Sequence, residues 1–108
     1  MSIKSIFRSE ADVKKAIKKI LDDAGAWYFM PVSAGYGKHG IPDFVCCLYG
    51  RFLAIEAKHN GNMPTALQAK VLKDIAEHGG GVLVIDETNI YLLQKAIQDA
   101  RSHPIRET

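Results

Sequence analysis

Asp43, Glu56 and Lys58 stand at the two ends of a stretch that is otherwise largely apolar (Phe44, Val45, Cys46, Cys47, Leu48, then Phe52, Leu53, Ala54, Ile55). The stretch is interrupted at Tyr49-Gly50, a short spacing that suggests a β-hairpin, although Tyr is not a favoured first turn residue. A tight turn there pairs residue 48 with 51, 46 with 53 and, by the same count, Asp43 with Glu56. Side chains directly opposite each other on one face have Cβ atoms about 4.5–5.5 Å apart, so two carboxylates so placed repel unless a cation lies between them. Oxygen ligands without clustered His or Cys favour a hard ion, Mg²⁺ or Mn²⁺, over zinc.

Strand alternation puts Lys58 on the same face as Glu56, one step further on. Its compact, mobile ammonium can there reach a water or a phosphate held by the metal. The chemistry such a set supports is metal-assisted phosphodiester hydrolysis. The cation lowers the pKa of water and offsets phosphate charge, while Lys58 orients or deprotonates the attacking water. A plain salt bridge of Lys58 with Asp43 or Glu56 uses the same three residues.

The elements that must position these side chains can be read from capping and periodicity. Ser9 caps a helix of about residues 10 to 24, with Asp12 at the capping-box position and Val13, Ala16, Ile17, Ile20, Leu21 and Ala24 on one stripe. Gly25 ends it. Residues 27 to 32 read as a strand, followed by a glycine-rich loop from Ser33 to Gly40, and residues 43 to 48 and 51 to 58 form the hairpin. A second helix spans about residues 65 to 78 and closes at Gly79-Gly80-Gly81, with Thr65 and Gln68 spaced as a capping box. Val82 to Ile85 has the continuous apolar character of a buried strand. Asp86 or Thr88 caps a last helix to about Ala100, and the charged tail beyond Pro104 is expected to fray. Helix, three strands, helix, strand, helix implies an α/β fold with a central mixed sheet and helices packed on its faces.

A chain of 108 residues with 47% apolar and 24% charged residues forms one domain, residues 1–108, with a core that needs no disulfide or structural metal. The net charge of +2 does not by itself argue for nucleic acid, but Lys4, Arg8, Lys14, Lys15, Lys18 and Lys19 crowd the first quarter. They give one face a positive field, or simply solvate a helix. Cys46 and Cys47 are adjacent in a strand, point to opposite faces and read as buried small residues in a reducing compartment. No apolar run approaches the roughly 20 residues of a membrane span, and the N-terminus lacks a secretion signal, so a cytoplasmic location is expected.

Ile41-Pro42-Asp43-Phe44, with twelve residues between Asp43 and Glu56, then Glu56-Ala57-Lys58, resembles the PD-(D/E)XK nuclease signature. Within that superfamily the glycine loop before Pro42-Asp43, the Gly50-Arg51-Phe52 hairpin and the Gly61-to-Gln68 stretch resemble the VRR-NUC (virus-type replication-repair nuclease) domain, over about residues 5 to 86. The resemblance implies a restriction-endonuclease-like α/β/α core and a Mg²⁺- or Mn²⁺-dependent DNA endonuclease. Asp43 and Glu56 would bind metal, Lys58 would assist the nucleophile, and the Ala57 carbonyl would be a further ligand. It also implies an acid from the first helix, at Glu10. Glu10 lies on the stripe of Val13 and Ile17, although an acid in a first turn also complements the helix dipole. Gln68 matches a catalytic position of the family while serving equally as a helix cap. Stand-alone members are often phage proteins that act in a bacterial host as homodimers on branched DNA such as Holliday junctions, and a two-fold pair suits such a substrate.

Lys38, His39 and Arg8 are the expected contacts to DNA phosphates, with the glycine loop letting backbone approach closely; flexible turn residues with incidental charge would look the same. Gly35 to Gly40 spells G-x-G-x-x-G, but Pro42 and a strand follow where a dinucleotide fingerprint needs a helix, so no dinucleotide is expected. His59 adjoins Lys58 and is a further DNA contact candidate, and His78 suits a helix C-terminus. Trp27, Tyr28 and Phe29 read as core and sheet-edge residues more than a base-stacking platform. Rival readings are a flap-, nick- or single-strand-directed nuclease of the same fold and a non-catalytic DNA-binding module.

Overall fold

A computed structural model describes residues 7–32 and 39–106. The element order is α1 (Glu10–Asp23), β1 (Trp27–Phe29), β2 (Phe44–Leu48), β3 (Arg51–Ala57), α2 (Ala66–Glu77), β4 (Gly81–Ile85) and α3 (Tyr91–Ser102). The strands form one sheet in the order β1-β2-β3-β4, antiparallel except for the parallel β3-β4 pair. It is an α/β fold with helices on both faces of a mixed sheet.

Alternation along β3 divides the molecule into two layers. Leu53, Ile55 and Ala57 join Phe44, Cys46 and Leu48 in the main core, under Val13, Ile17 and Leu21 of α1 and Leu93, Ile97 and Ala100 of α3. Ala54 and Glu56 point the other way, to the side on which α2 buries Val71 and Leu72. Among the described residues, sixteen buried apolar side chains give a chain of this size an ordinary core.

The β2-β3 register is the one the turn dictates, Phe44 opposite Ile55 through Leu48 opposite Arg51. Tyr49 and Gly50 both have positive φ, +53° and +84°, the conformation of a type I′ turn. Left-handed backbone costs a non-glycine residue about 1–2 kcal/mol, and at Tyr49 tertiary contacts offset it. The Tyr49 carbonyl accepts from the Ile105 N–H at 2.8 Å and its hydroxyl accepts from Arg101 Nε at 3.1 Å. Gly50 is required, since a Cβ there would sit 1.8 Å from the Ile105 carbonyl oxygen. Arg51 adds Nε and Nη2 bonds to the His103 carbonyl at 3.0 and 2.8 Å. The segment after α3 is therefore docked on the hairpin through Ile105, not frayed.

Other expectations need correction. β1 stops at Phe29, and β4 is an edge strand on which only Ile85 is fully buried. Asp86 and Thr88 do not cap α3. Thr88 donates to Asp86 Oδ1 from its N–H and hydroxyl, closing a turn on itself, and α3 starts at an Ile90 N-cap without a side-chain bond. Cys46 is buried, with its thiol pushed up to about 12 by burial, but Cys47 is exposed. Trp27 and Phe29 are 65% and 48% exposed on the edge strand, while Tyr28 faces Phe44 in the core. Among the described residues no helix is long and apolar enough to cross a membrane.

Candidate metal centre

Asp43 lies one step beyond the last paired residues of the hairpin, which brings it opposite Glu56. Buried Pro42 precedes it, and Asp43 Oδ2 accepts the Ala57 N–H at 2.8 Å, so the carboxylate replaces a ladder bond at the end of β2. Glu56 is 2% exposed, and its Oε2 has no hydrogen-bond partner. Such an orphaned carboxylate oxygen is costly unless a proton or a cation satisfies it.

Electrostatics separate the two acids. Burial, then the facing Asp43 carboxylate, lifts the Glu56 carboxyl to about 8, against the smaller opposing pull of Lys58. Burial also pushes Asp43 up, but the neighbouring Glu56 carboxyl, the Ala57 N–H and Lys14 outweigh it and hold Asp43 below its ordinary value. The shifts are opposite in direction, so Asp43 ionises first and Glu56, the member with no donor of its own, holds its proton to higher pH.

Two lysines frame the pair. The Lys58 N–H continues the β3-β4 ladder to the Ile85 carbonyl at 2.9 Å, which keeps its side chain on the Glu56 side of the sheet. Its side chain is 12% exposed and its Nζ lies 3.8 Å from Glu10 Oε1, so the salt bridge it forms is with Glu10 and not with Asp43 or Glu56. Lys14 Nζ lies 3.3 Å from Asp43 Oδ1 and 3.7 Å from Glu10 Oε2. Although burial opposes it, the carboxylates of Asp43, Glu10 and Glu56 hold the Lys14 ammonium charged above its ordinary range.

The start of α1 is fixed by Ser9, whose hydroxyl accepts the Asp12 N–H at 3.3 Å. Asp12 reaches back to the Arg8 N–H at 2.8 Å, one residue earlier than a reciprocal box requires. Glu10 is consequently at the site's rim, 42% exposed, and joined to it through lysines. No group of three or more His, Cys, Asp or Glu side chains converges as a metal cage among the described residues. The donor set nevertheless fits one ion type. Facing carboxylates, one with an unsatisfied oxygen, suit Mg²⁺, which keeps several waters and is commonly held by one or two carboxylates.

The remaining expected residues fall outside this cluster. Gln68 completes a capping box, its Oε1 accepting the Thr65 N–H at 2.9 Å while its own N–H donates to Thr65 Oγ1 at 3.2 Å. No hydrogen bond or ion pair links it to Asp43, Glu56 or Lys58 among the described residues. Arg8 and His39 are exposed, and Lys38 lies outside the described residues, as does most of the glycine loop. His59 Nε2 lies 3.0 Å from the Phe7 carbonyl and ties the segment before α1 to the end of β3. His78 is the C-cap of α2, its Nδ1 2.6 Å from the Asp74 carbonyl.

Two residues were missed by sequence reasoning. Lys14 was legible, because a side chain one turn after Glu10 shares its face. Glu87 was not. It is 2% exposed, and both its oxygens accept the N–H of Asn60, which has a φ of +56°. This bond anchors the turn that follows Lys58. Glu87→Ala is expected to lower stability by about 1–3 kcal/mol, the scale of a hydrogen bond to a charged group, whereas Glu87→Gln keeps an acceptor and loses less; urea denaturation of the two variants measures the difference.

No family model and no curated protein matches this chain.

Proposed function

We propose that this chain is a Mg²⁺- or Mn²⁺-dependent endonuclease that hydrolyses DNA phosphodiester bonds and prefers branched DNA such as a four-way junction. The observation that carries the reading is the facing pair Asp43 and Glu56, with a buried, unpartnered Oε2 on Glu56 and the Lys14 ammonium 3.3 Å from Asp43 Oδ1. Asp43 and Glu56 would hold the cation, which supplies Lewis-acid polarisation of a phosphoryl oxygen. The Ala57 carbonyl is a further ligand by resemblance to VRR-NUC nucleases. Glu10 acts first on the lysines, keeping both ammonium groups at the rim.

Lys58 orients the attacking water and accepts its proton, the role its position beside Glu56 allows. Arg8, Lys38, His39 and the exposed Lys15 and Lys18 of α1 follow the phosphate backbone. The branched substrate and the homodimer rest on the same resemblance, since two equivalent phosphates of a junction call for two clefts related by a two-fold axis.

The test is cleavage of a labelled four-way junction and a matched linear duplex by the wild type and Lys58→Ala, each with Mg²⁺, Mn²⁺ or EDTA. The wild type cuts only with metal, cuts the junction faster, and loses on the order of 10²-fold in rate without the lysine. Equal rates on the two DNAs remove the junction preference alone. Binding without product under every metal condition overturns the nuclease reading in favour of a DNA-binding module.

A further inference from the structure

Lys14 has no task in the reaction just described, yet its ammonium makes the shortest ion pair of the site, 3.3 Å from Asp43 Oδ1. A divalent cation held by Asp43 and an ammonium on the same carboxylate repel each other at close range, so both cannot keep that place. Lys58 faces no such conflict, because its partner is Glu10. Lys14 also has somewhere to go. Its side chain is 33% exposed, its four-carbon stem is flexible, and Glu10 one turn earlier, 3.7 Å away, remains as a tether.

We propose that Lys14 is the resident counter-ion of the metal-free site, displaced from Asp43 when the divalent cation binds and turned outward to hold a phosphate of the nucleic acid. This rests on the metal-dependent reading given above. In the empty site the ammonium neutralises Asp43 and keeps the hairpin end from repelling itself. After displacement the same charge lies where a scissile or adjacent phosphate must approach, so metal binding prepares the site for an anion that the metal-free form attracts less. The device makes Lys14 a competitor of the metal and an ally of the substrate.

The opposed signs supply the test. Mn²⁺ binding to the full chain without DNA, followed by the loss of the free-ion electron paramagnetic resonance signal, is compared for wild type, Lys14→Gln, Lys14→Arg and Asp43→Asn. Lys14→Gln is expected to bind Mn²⁺ about 3- to 10-fold more tightly, Lys14→Arg to stay near wild type, and Asp43→Asn to lose binding. Junction binding in Ca²⁺ is then expected to weaken about 3- to 10-fold in Lys14→Gln, as for loss of one phosphate contact, and to be kept in Lys14→Arg. A merely structural lysine would weaken both affinities together. Wild type that binds Mn²⁺ while Lys14→Gln binds it equally or less tightly overturns the proposal and leaves the metal site standing. Absence of Mn²⁺ binding in wild type and Lys14→Gln alike overturns the metal reading and this proposal with it.

Discussion

Asp43→Asn is expected to lower the rate of the proposed junction cleavage on the order of 10²–10³-fold, the scale on which removing one well-placed electrostatic group acts, while leaving the fold intact. Asparagine keeps an oxygen that can accept the Ala57 N–H, now 2.8 Å from Asp43 Oδ2, so the end of the hairpin stays pinned. What is lost is the charge. Asp43 is the acid of the pair that is ionised below its ordinary pKa, and thus the one ready for a cation at neutral pH. Single-turnover rates at saturating Mg²⁺, with thermal melting as the folding control, measure the effect. A rate within tenfold of wild type would remove Asp43 from the centre.

The second large effect is on stability and has a defined sign. Glu56 is raised from an ordinary 4.5 to about 8 in the folded chain, so folding favours its protonated form. That contribution is full below about 4.5 and is lost as pH rises through about 8. Asp43 acts oppositely, its lowered pKa giving a contribution lost only as pH falls into the acid range below 3.8. Between these limits Glu56 sets the slope, and metal-free protein is expected to lose on the order of 2–4 kcal/mol from about pH 5 to pH 9. Glu56→Gln removes the slope and is the more stable protein at pH 8, because an amide needs no proton to be neutral. If the proposed site binds Mg²⁺, saturating metal is expected to remove the slope as well, with about one proton released per site near pH 7. Urea denaturation across pH in EDTA reads the first effect, and calorimetry in buffers of different ionisation enthalpy the second. A slope that persists in Glu56→Gln assigns it to another group.

These two effects concern residues that the sequence places well. A two-residue turn and strict alternation fix which side chains face each other, so the opposition of Asp43 and Glu56 follows from Tyr49-Gly50. Helix α1 was legible for a similar reason, since Ser9, the apolar stripe and Gly25 are local signals. What failed depends on distant neighbours. The apolar run of β4 does not tell an edge strand from a central one, and Trp27 and Phe29 stay exposed because α2 packs against β4, at the opposite edge of the sheet from β1. Asp86 and Thr88 have capping side chains but bond each other locally first. Glu10 fell on the right helix face, yet its separation from the two central acids depends on Lys14 and Lys58, whose side-chain rotamers no spacing encodes.

The seal that Ile105 makes over Gly50 also bears on how this molecule can change. A hairpin ordinarily absorbs one inserted residue by swelling its loop into a three-residue turn with a bulge, and the pairing beyond is preserved. Here the loop tip is closed by Ile105 in the segment after α3, with no room even for a methyl group on Gly50. An added residue must dislodge that segment or pass down the strand, where it would rotate Glu56 and Lys58 to the opposite side of the sheet and leave Asp43 facing an apolar neighbour. Ile105, at the far end of the hairpin from the acids, thereby restricts the lengths that the segment between Asp43 and Glu56 can take: insertions there are tolerated in pairs, or together with loss of the Ile105 contact.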